Sequence, residues 1–305
     1  MPVALLGPYR DIFRYRSFRV FWLGFTFSVL GDAMTQVALI WMVYQSTHSA
    51  RAVGLLLLAS GAFAFALTHV HLGVAHDAPS TTTRAYRVGH ALALLRHNPI
   101  LLSTTLMFMT FNLGEGALSV WLPLFSAQVA PGGAEVYGAL LGVLAVGETV
   151  GSVIAGGLVV RLSTGVLICL AQGLSGLALV PLLLGRTLLW VAVSLALLGA
   201  FSAPLTIWAQ TLRMRIIPPQ LRGRTFALLR TLMQGTAPFA GAAAGVLLPV
   251  VGIPAMIALS ALLIGLPGPL GYQVRGLRQA GAADNRTLEP DAQDTPVGSA
   301  PAGDG

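Results

Sequence analysis

The sequence predicts an all-α polytopic membrane protein of about eight transmembrane helices, and three observations predict it. Only 10% of the 305 residues are charged and 55% are hydrophobic, with a mean hydropathy of +0.77; a soluble domain is roughly 25% charged. Residues 99–212 hold five charges, Glu115, Glu135, Glu148, Arg161 and Arg186, where a soluble stretch of that length would carry roughly 28. Apolar runs of about 20 residues or more recur along the chain, the length that crosses a hydrocarbon core of ~30 Å. Together these exclude a soluble enzyme, a disulfide scaffold and a disordered chain. The single cysteine, Cys169, lies inside an apolar run and cannot form an internal disulfide.

The apolar runs fall at 20–44, 52–75, 100–127, 137–160, 164–184, 187–211, 225–249 and 253–273. The connections are short and carry turn residues such as Pro131-Gly132-Gly133 and Pro218-Pro219. The first run is too long for a signal core, and an arginine-bearing segment precedes it. The net charge of +7 rests on arginine alone, because the chain has no lysine. With the N-terminus inside, fifteen arginines fall on the cytoplasmic side and only Arg51 and Arg186 outside, with Arg230 within a span. That asymmetry implies both termini in the cytoplasm, and the all-arginine, Ala/Gly/Leu-rich composition suggests a GC-rich bacterial genome and so a bacterial inner membrane as the location. The basic balance therefore speaks for a lipid bilayer as partner and against nucleic acid. In the 76–98 connection, Val88, Ala91, Leu92 and Leu95 at helical spacing, with Arg84, Arg87 and Arg96 around them, predict a short amphipathic surface helix. The tail after about 280 has no apolar period and is expected to be disordered.

The first four spans contain an internal repeat. Leu30-Gly31-Asp32 matches Leu113-Gly114-Glu115 at an offset of 83, and Leu39 and Gln45 meet Leu122 and Gln128 in the same frame. One residue later, Gly54, Leu56 and Leu57 meet Gly138, Leu140 and Leu141. Spans one and two thus look like spans three and four, and both copies start on the same side, so the repeat is parallel.

The stretch FRVFWLGFTFSVLGDAMTQVALIWMVYQSTHSARAVG, residues 18–54, resembles the opening of major facilitator superfamily transporters of the drug, macrolide and siderophore exporter branch. LRHNPILL at 95–102 is similar to the lead-in to that family's seventh helix. IPPQLRGRTFALLRTLMQGTAPFAG at 217–241 resembles its tenth-to-eleventh helix connection. The resemblance implies two six-helix bundles, yet only one is complete. Residues 1–19 read as a cytoplasmic segment and 20–75 as a two-helix N-terminal half. Residues 76–98 read as a linker, 99–273 as a complete six-helix C-terminal half, and 274–305 as a cytoplasmic tail. About four helices and the family's Gly-x-x-x-Asp-Arg-x-x-Arg-Arg-like loop are missing. An internal deletion or a misjoined gene model that joins the second helix to the tail of the sixth, near Ser60, accounts for this while keeping the topology legal.

Ionisable residues inside a membrane are costly and therefore candidates for function. Asp32 with Gln36 one turn along, and Glu115 with Asn112, occupy repeat-equivalent places and suggest proton-coupling or cation-binding carboxylates. Each could instead pin a neighbouring helix through polar partners. Glu148 lies in a small-residue ladder of Gly138, Gly142, Gly147 and Gly151, read as helix-packing surface, and is a candidate for coupling or gating. Trp121, like Trp208, could line a cavity for an aromatic substrate or sit in the core. Arg230 can snorkel to the headgroups or pair with substrate. Arg213, Arg215, Arg222 and Arg224 read as orientation determinants, which in the resembled family can also latch the inner gate. His69, His71, His76 and Asp77 are too loosely spaced to make a metal site. No Walker-type loop and no nucleophile–base set is present, so the sequence predicts neither an enzyme nor a cofactor.

The expected function is secondary active transport, with proton-coupled efflux of a small amphiphilic compound. The alternative is a transport-incompetent remnant, or an assembly subunit completed by a second copy or a partner chain.

Overall fold

A computed structural model of the chain describes residues 14–69, 89, 92–129, 132–157, 162–185 and 187–281. Among these the protein is helical, with no strand. A helix stands at each predicted span. The helices α1 (Arg16–Thr47) and α2 (Ala50–His69) are joined through His48, whose left-handed φ of 47° closes α1. They are followed by α3 (Pro99–Val129) and α4 (Gly133–Gly157). The fifth span is α5 (Thr164–Leu177) continued by α6 (Pro181–Leu184), and the sixth is α7 (Leu188–Ile216). A 3-10 turn at Pro219–Leu221 leads into α8 (Arg222–Gln234), α9 (Thr236–Gly265), α10 (Pro267–Gln273) and α11 (Arg275–Gln279).

Four stretches are long and apolar enough to cross a membrane by length and composition: Gly133–Gly156, Thr164–Leu184, Leu188–Ile216 and Thr225–Gln273. The last is 49 residues, about 74 Å at the helical rise, more than twice the thickness of a hydrocarbon core. It reverses at Gly252, whose φ of 78° and ψ of 167° break α9 between Pro249 and Pro254. A residue with a β-carbon resists that conformation, so glycine there makes two crossings out of one run. The helices α1 and α3 are long enough, at 32 and 31 residues, but Asp32, Gln36, Asn112 and Glu115 make them more polar. Of the 92–98 segment, residues 92–97 are helical and Leu95 is buried while Leu92 is exposed. The rest of the predicted surface helix, the tail beyond 281 and the segment with His71, His76 and Asp77 lie outside the described residues.

Small residues let the helices touch backbone to backbone. A Cβ on Gly147 or Gly151 of α4 would lie 2.2 or 2.3 Å from the carbonyl oxygens of Ala196 and Ala200 on α7, and one on Gly199 would lie 2.3 Å from Leu144 O. Gly138 and Gly142 do not belong to this seam and have open space around them. The physical reason is the step between them. Four residues keep a stripe nearly in line, but the five from Gly142 to Gly147 turn it about 140° round the helix. Equivalent contacts join α3 to α9 at Gly116 and Ala237, and α2 to α9 at Gly54 and Gly241.

Polar side chains inside the bundle fasten helix to helix. Trp121 Nε1 on α3 donates to Ser260 Oγ on α9 at 3.0 Å, and Gln172 Nε2 on α5 donates to Met107 O on α3 at 2.9 Å. Two apolar clusters form the core: one around Trp121, Leu122, Leu179 and Leu195, the other around Leu101, Ile168, Leu205 and Leu229.

Candidate functional site: a polar cavity among α3, α4, α7 and α8

Against the second apolar cluster lies a cavity of about 860 Å³. Helix α3 contributes Phe108, Phe111, Asn112 and Glu115, and α4 contributes Glu148 and Ser152. Helix α7 contributes a stripe, Ser202, Thr206, Gln210 and Arg213, at spacings of four, four and three, which keeps all four on one helical face. Helix α8 closes the far end with Phe226 and Arg230.

A second cavity, of about 650 Å³, opens toward α1 and α2 and is lined by Gln36, Ser60, Ser119 and Pro238. Asn112, Glu115, Glu148 and Gln234 belong to both cavities. The two carboxylates therefore stand where the two spaces meet.

The hydroxyls in this site are satisfied by their own helices. Ser202 Oγ donates to Gly199 O at 3.2 Å, Thr206 Oγ1 to Ser202 O at 3.1 Å, and Ser119 Oγ to Glu115 O at 3.1 Å. Asn112 Nδ2 donates to Phe108 O at 2.7 Å. Donors tied back to the preceding turn leave oxygen lone pairs facing the cavity as acceptors.

Arg213 is the residue that the sequence alone misplaced. It is no loop arginine: α7 runs on to Ile216, and the side chain is 1% exposed. Its Nη2 donates to Thr104 O on α3 at 3.0 Å, and its guanidinium carbon lies 4.5 Å from the centre of the Phe108 ring. Among the described residues its Nε has no hydrogen-bond partner. The signal that could have found it is the α7 stripe, because Arg213 continues the register of Ser202, Thr206 and Gln210. Arg222, by contrast, donates from Nε to Ile217 O at 3.2 Å and so caps the end of α7. Arg215 lies on the last turn of the same helix, and of the side chain of Arg224 nothing is described.

The remaining candidates separate. Arg230 faces the cavity and donates to Gln234 Oε1 at 2.8 Å. Trp121 lines neither main cavity: it is wholly buried, held by Ser260 and packed edge-on to Phe125 at 6.1 Å. A 31-residue helix carries it past the cavity into the apolar cluster. Trp208 packs against the other cluster. Gln36 lines the second cavity, but Asp32 lies exposed on α1 and lines neither. Four residues separate the two, which keeps them on one side of α1. Among the described residues no group of three or more His, Cys, Asp or Glu side chains is placed to hold a metal.

Residues 74–242 match the family model of the Major Facilitator Superfamily. The chain belongs to that superfamily. The match runs from before α3 into α9, so it takes in every helix that walls the first cavity. The members of this superfamily are membrane transporters rather than enzymes. No curated protein and no solved structure matches the chain.

Proposed function

We propose that the chain is a secondary transporter of the exporter-like drug, macrolide and siderophore branch, which couples proton movement to efflux of a small amphiphilic compound. The observation that carries this reading is the meeting of Glu115 and Glu148 at the junction of two cavities in a mostly apolar helical bundle. Two like charges that face one space repel, and a bound proton removes that repulsion. A transported compound that competes for the same space exchanges with the proton, provided the two open states differ in their affinity for each. The walls are suited to an amphiphile, since Phe108, Phe111, Phe226 and Ile207 alternate with Ser202, Thr206 and Gln210. The arginine asymmetry supports both termini in the cytoplasm.

The test is substrate-dependent proton flux in proteoliposomes of the purified full chain, read with an internal pH dye while a panel of amphiphilic cations, macrolides and hydroxamates is added. Flux with at least one compound, lost in Glu148→Gln and Glu115→Gln, supports the reading. Flux that survives both substitutions removes the carboxylate pair from the mechanism.

A second reading is favoured by a different observation. Helix α1 is largely uncovered by protein, and Ile40 is the single buried residue among its described side chains. A chain that lacks about four helices of its first half leaves the second cavity unwalled on that side. On this reading the chain is a remnant, or a subunit completed by a second copy or another protein. Long-read sequencing of the gene and transcript across codons 50–100 decides whether the deletion is real. Crosslinking in native membranes then shows whether anything stands against α1.

A further inference from the structure

The cavity described above carries two chemically distinct sets of groups. Asn112, Glu115, Glu148 and Gln234 are shared with the second cavity, whereas Arg213 and Arg230 line the first cavity alone, Arg230 reaching back to Gln234 at the junction. Along α3, Phe108, on which Arg213 stacks, precedes Glu115 by seven residues, about 10 Å of helix. Among the described residues neither guanidinium is neutralised by a carboxylate. Arg213 is bonded to a backbone carbonyl and an aromatic ring, and Arg230 to the amide oxygen of Gln234.

An arginine stays charged at any physiological pH, and burial of an unpaired charge is costly. Arg213 is almost wholly covered, yet its Nε donor has no partner. Thr104 O and the Phe108 ring hold the guanidinium in place and leave part of its donor fork unused. A planar guanidinium with free donors matches the two oxygens of a carboxylate or sulfonate. Phe111 and Phe226 line the same space and suit an aromatic body.

We propose that Arg213 and Arg230 form an anion-binding end of the cavity, which takes the carboxylate or sulfonate group of an aromatic amphiphile. This rests on the reading of the cavity as the substrate path and narrows its substrate class. A binding measurement keeps the two separable, since it requires no transport.

The experiment uses the full chain in phosphatidylcholine nanodiscs, titrated with 2-naphthoate, with uncharged 2-naphthamide, or with 2-naphthylmethylammonium, and reads thermal stability and binding heat. The proposal expects naphthoate to raise the unfolding temperature by several degrees and to bind at least tenfold more tightly than the other two. Arg213→Gln and Arg230→Gln each weaken naphthoate at least tenfold and leave naphthamide unchanged. Arg230 is exposed, so its variant reports even where Arg213→Gln does not fold. Equal binding of naphthoate and naphthamide, preference for the ammonium, no binding of naphthoate, or full binding by Arg230→Gln overturns the proposal. A second arm adds phosphatidylglycerol to the discs. Loss of the naphthoate shift there assigns the site to a lipid headgroup and likewise overturns it.

Discussion

Asp32 and Glu115 occupy the same place in the two copies of the internal repeat, yet the structure gives them different surroundings. Glu115 stands where two cavities meet, with Glu148 opposite and α7 and α8 beyond it. Asp32 lies on a helix that little else covers. The helices carrying them differ in the same way. Fifteen residues of α3 are buried, and the helix is fastened to α9 by Trp121 and Ser260 and to α5 by Gln172. Helix α1 is fastened near one end, where Trp41 stacks on Tyr137 of α4 at 6.1 Å between ring centres. A sequence repeat transmits the residue, but the neighbouring helices supply the environment that makes a carboxylate useful.

The comparison can be broken most severely at the small-residue seams. Gly147→Leu or Gly151→Leu drives a side chain into the carbonyls of Ala196 and Ala200. Such overpacking against backbone exceeds the usual cost of about 1–3 kcal/mol for extra core volume, so both variants are expected to fail to accumulate as folded protein in the membrane. Gly142→Leu, five and nine residues away on the opposite face of α4, is expected to accumulate normally. Equal loss in all three would show that the seam is not where the close contact lies.

Trp121→Ala comes next. Removal of a fully buried large aromatic costs about 3–5 kcal/mol, and the Ser260 hydroxyl loses its partner as well. Met34→Ala, on the exposed face of α1, is expected to change unfolding in mixed micelles by less than about 0.5 kcal/mol. Similar losses at both positions would mean that α1 is as well packed as α3.

The sharpest use of the repeat pair is functional. Glu115→Gln is expected to lower substrate-dependent proton flux at least tenfold, and Asp32→Asn to leave it within about twofold. The reverse order would move the coupling site to the first copy. The smallest effect is expected for Arg222→Gln, which removes one charge-assisted bond to Ile217 O. Its loss is worth about 1–2 kcal/mol of stability by the usual scale for bonds to charged groups, measured as a shift in unfolding midpoint.

Much of this architecture was legible in the sequence because the bilayer reduces prediction to length and polarity. Each of the eight predicted runs is largely helical over its described residues. The seam at Gly147 and Gly151 was legible for the same reason, as a stripe at four-residue spacing. Its extension to Gly138 and Gly142 failed on a single five-residue step. Glu115, Glu148 and Asn112 stood out by their cost in an apolar run, and the cavity lies where they are. Arg213 was hidden because the sixth run was read to end at 211, and an arginine just beyond an apolar run reads as a membrane-surface residue. Only the helix's continuation to Ile216 carries it back against α3. The surroundings of Asp32 and Trp121 were not legible at all, since they depend on which helices pack together, and no local pattern specifies that.

The central claim is that α3, α4, α7 and α8 enclose a water-accessible path while the outer faces of the same helices meet lipid. The single native cysteine, Cys169, is buried, so a Cys169→Ala chain gives a clean background for reporter cysteines. Thr206→Cys and Gln210→Cys on the cavity face of α7, and Val193→Cys and Leu197→Cys on its uncovered apolar face, would be labelled in intact membranes with a charged, water-soluble maleimide. The account predicts rapid labelling at 206 and 210 and little at 193 and 197. Labelling that favours 193 and 197, or that spares all four, would contradict it.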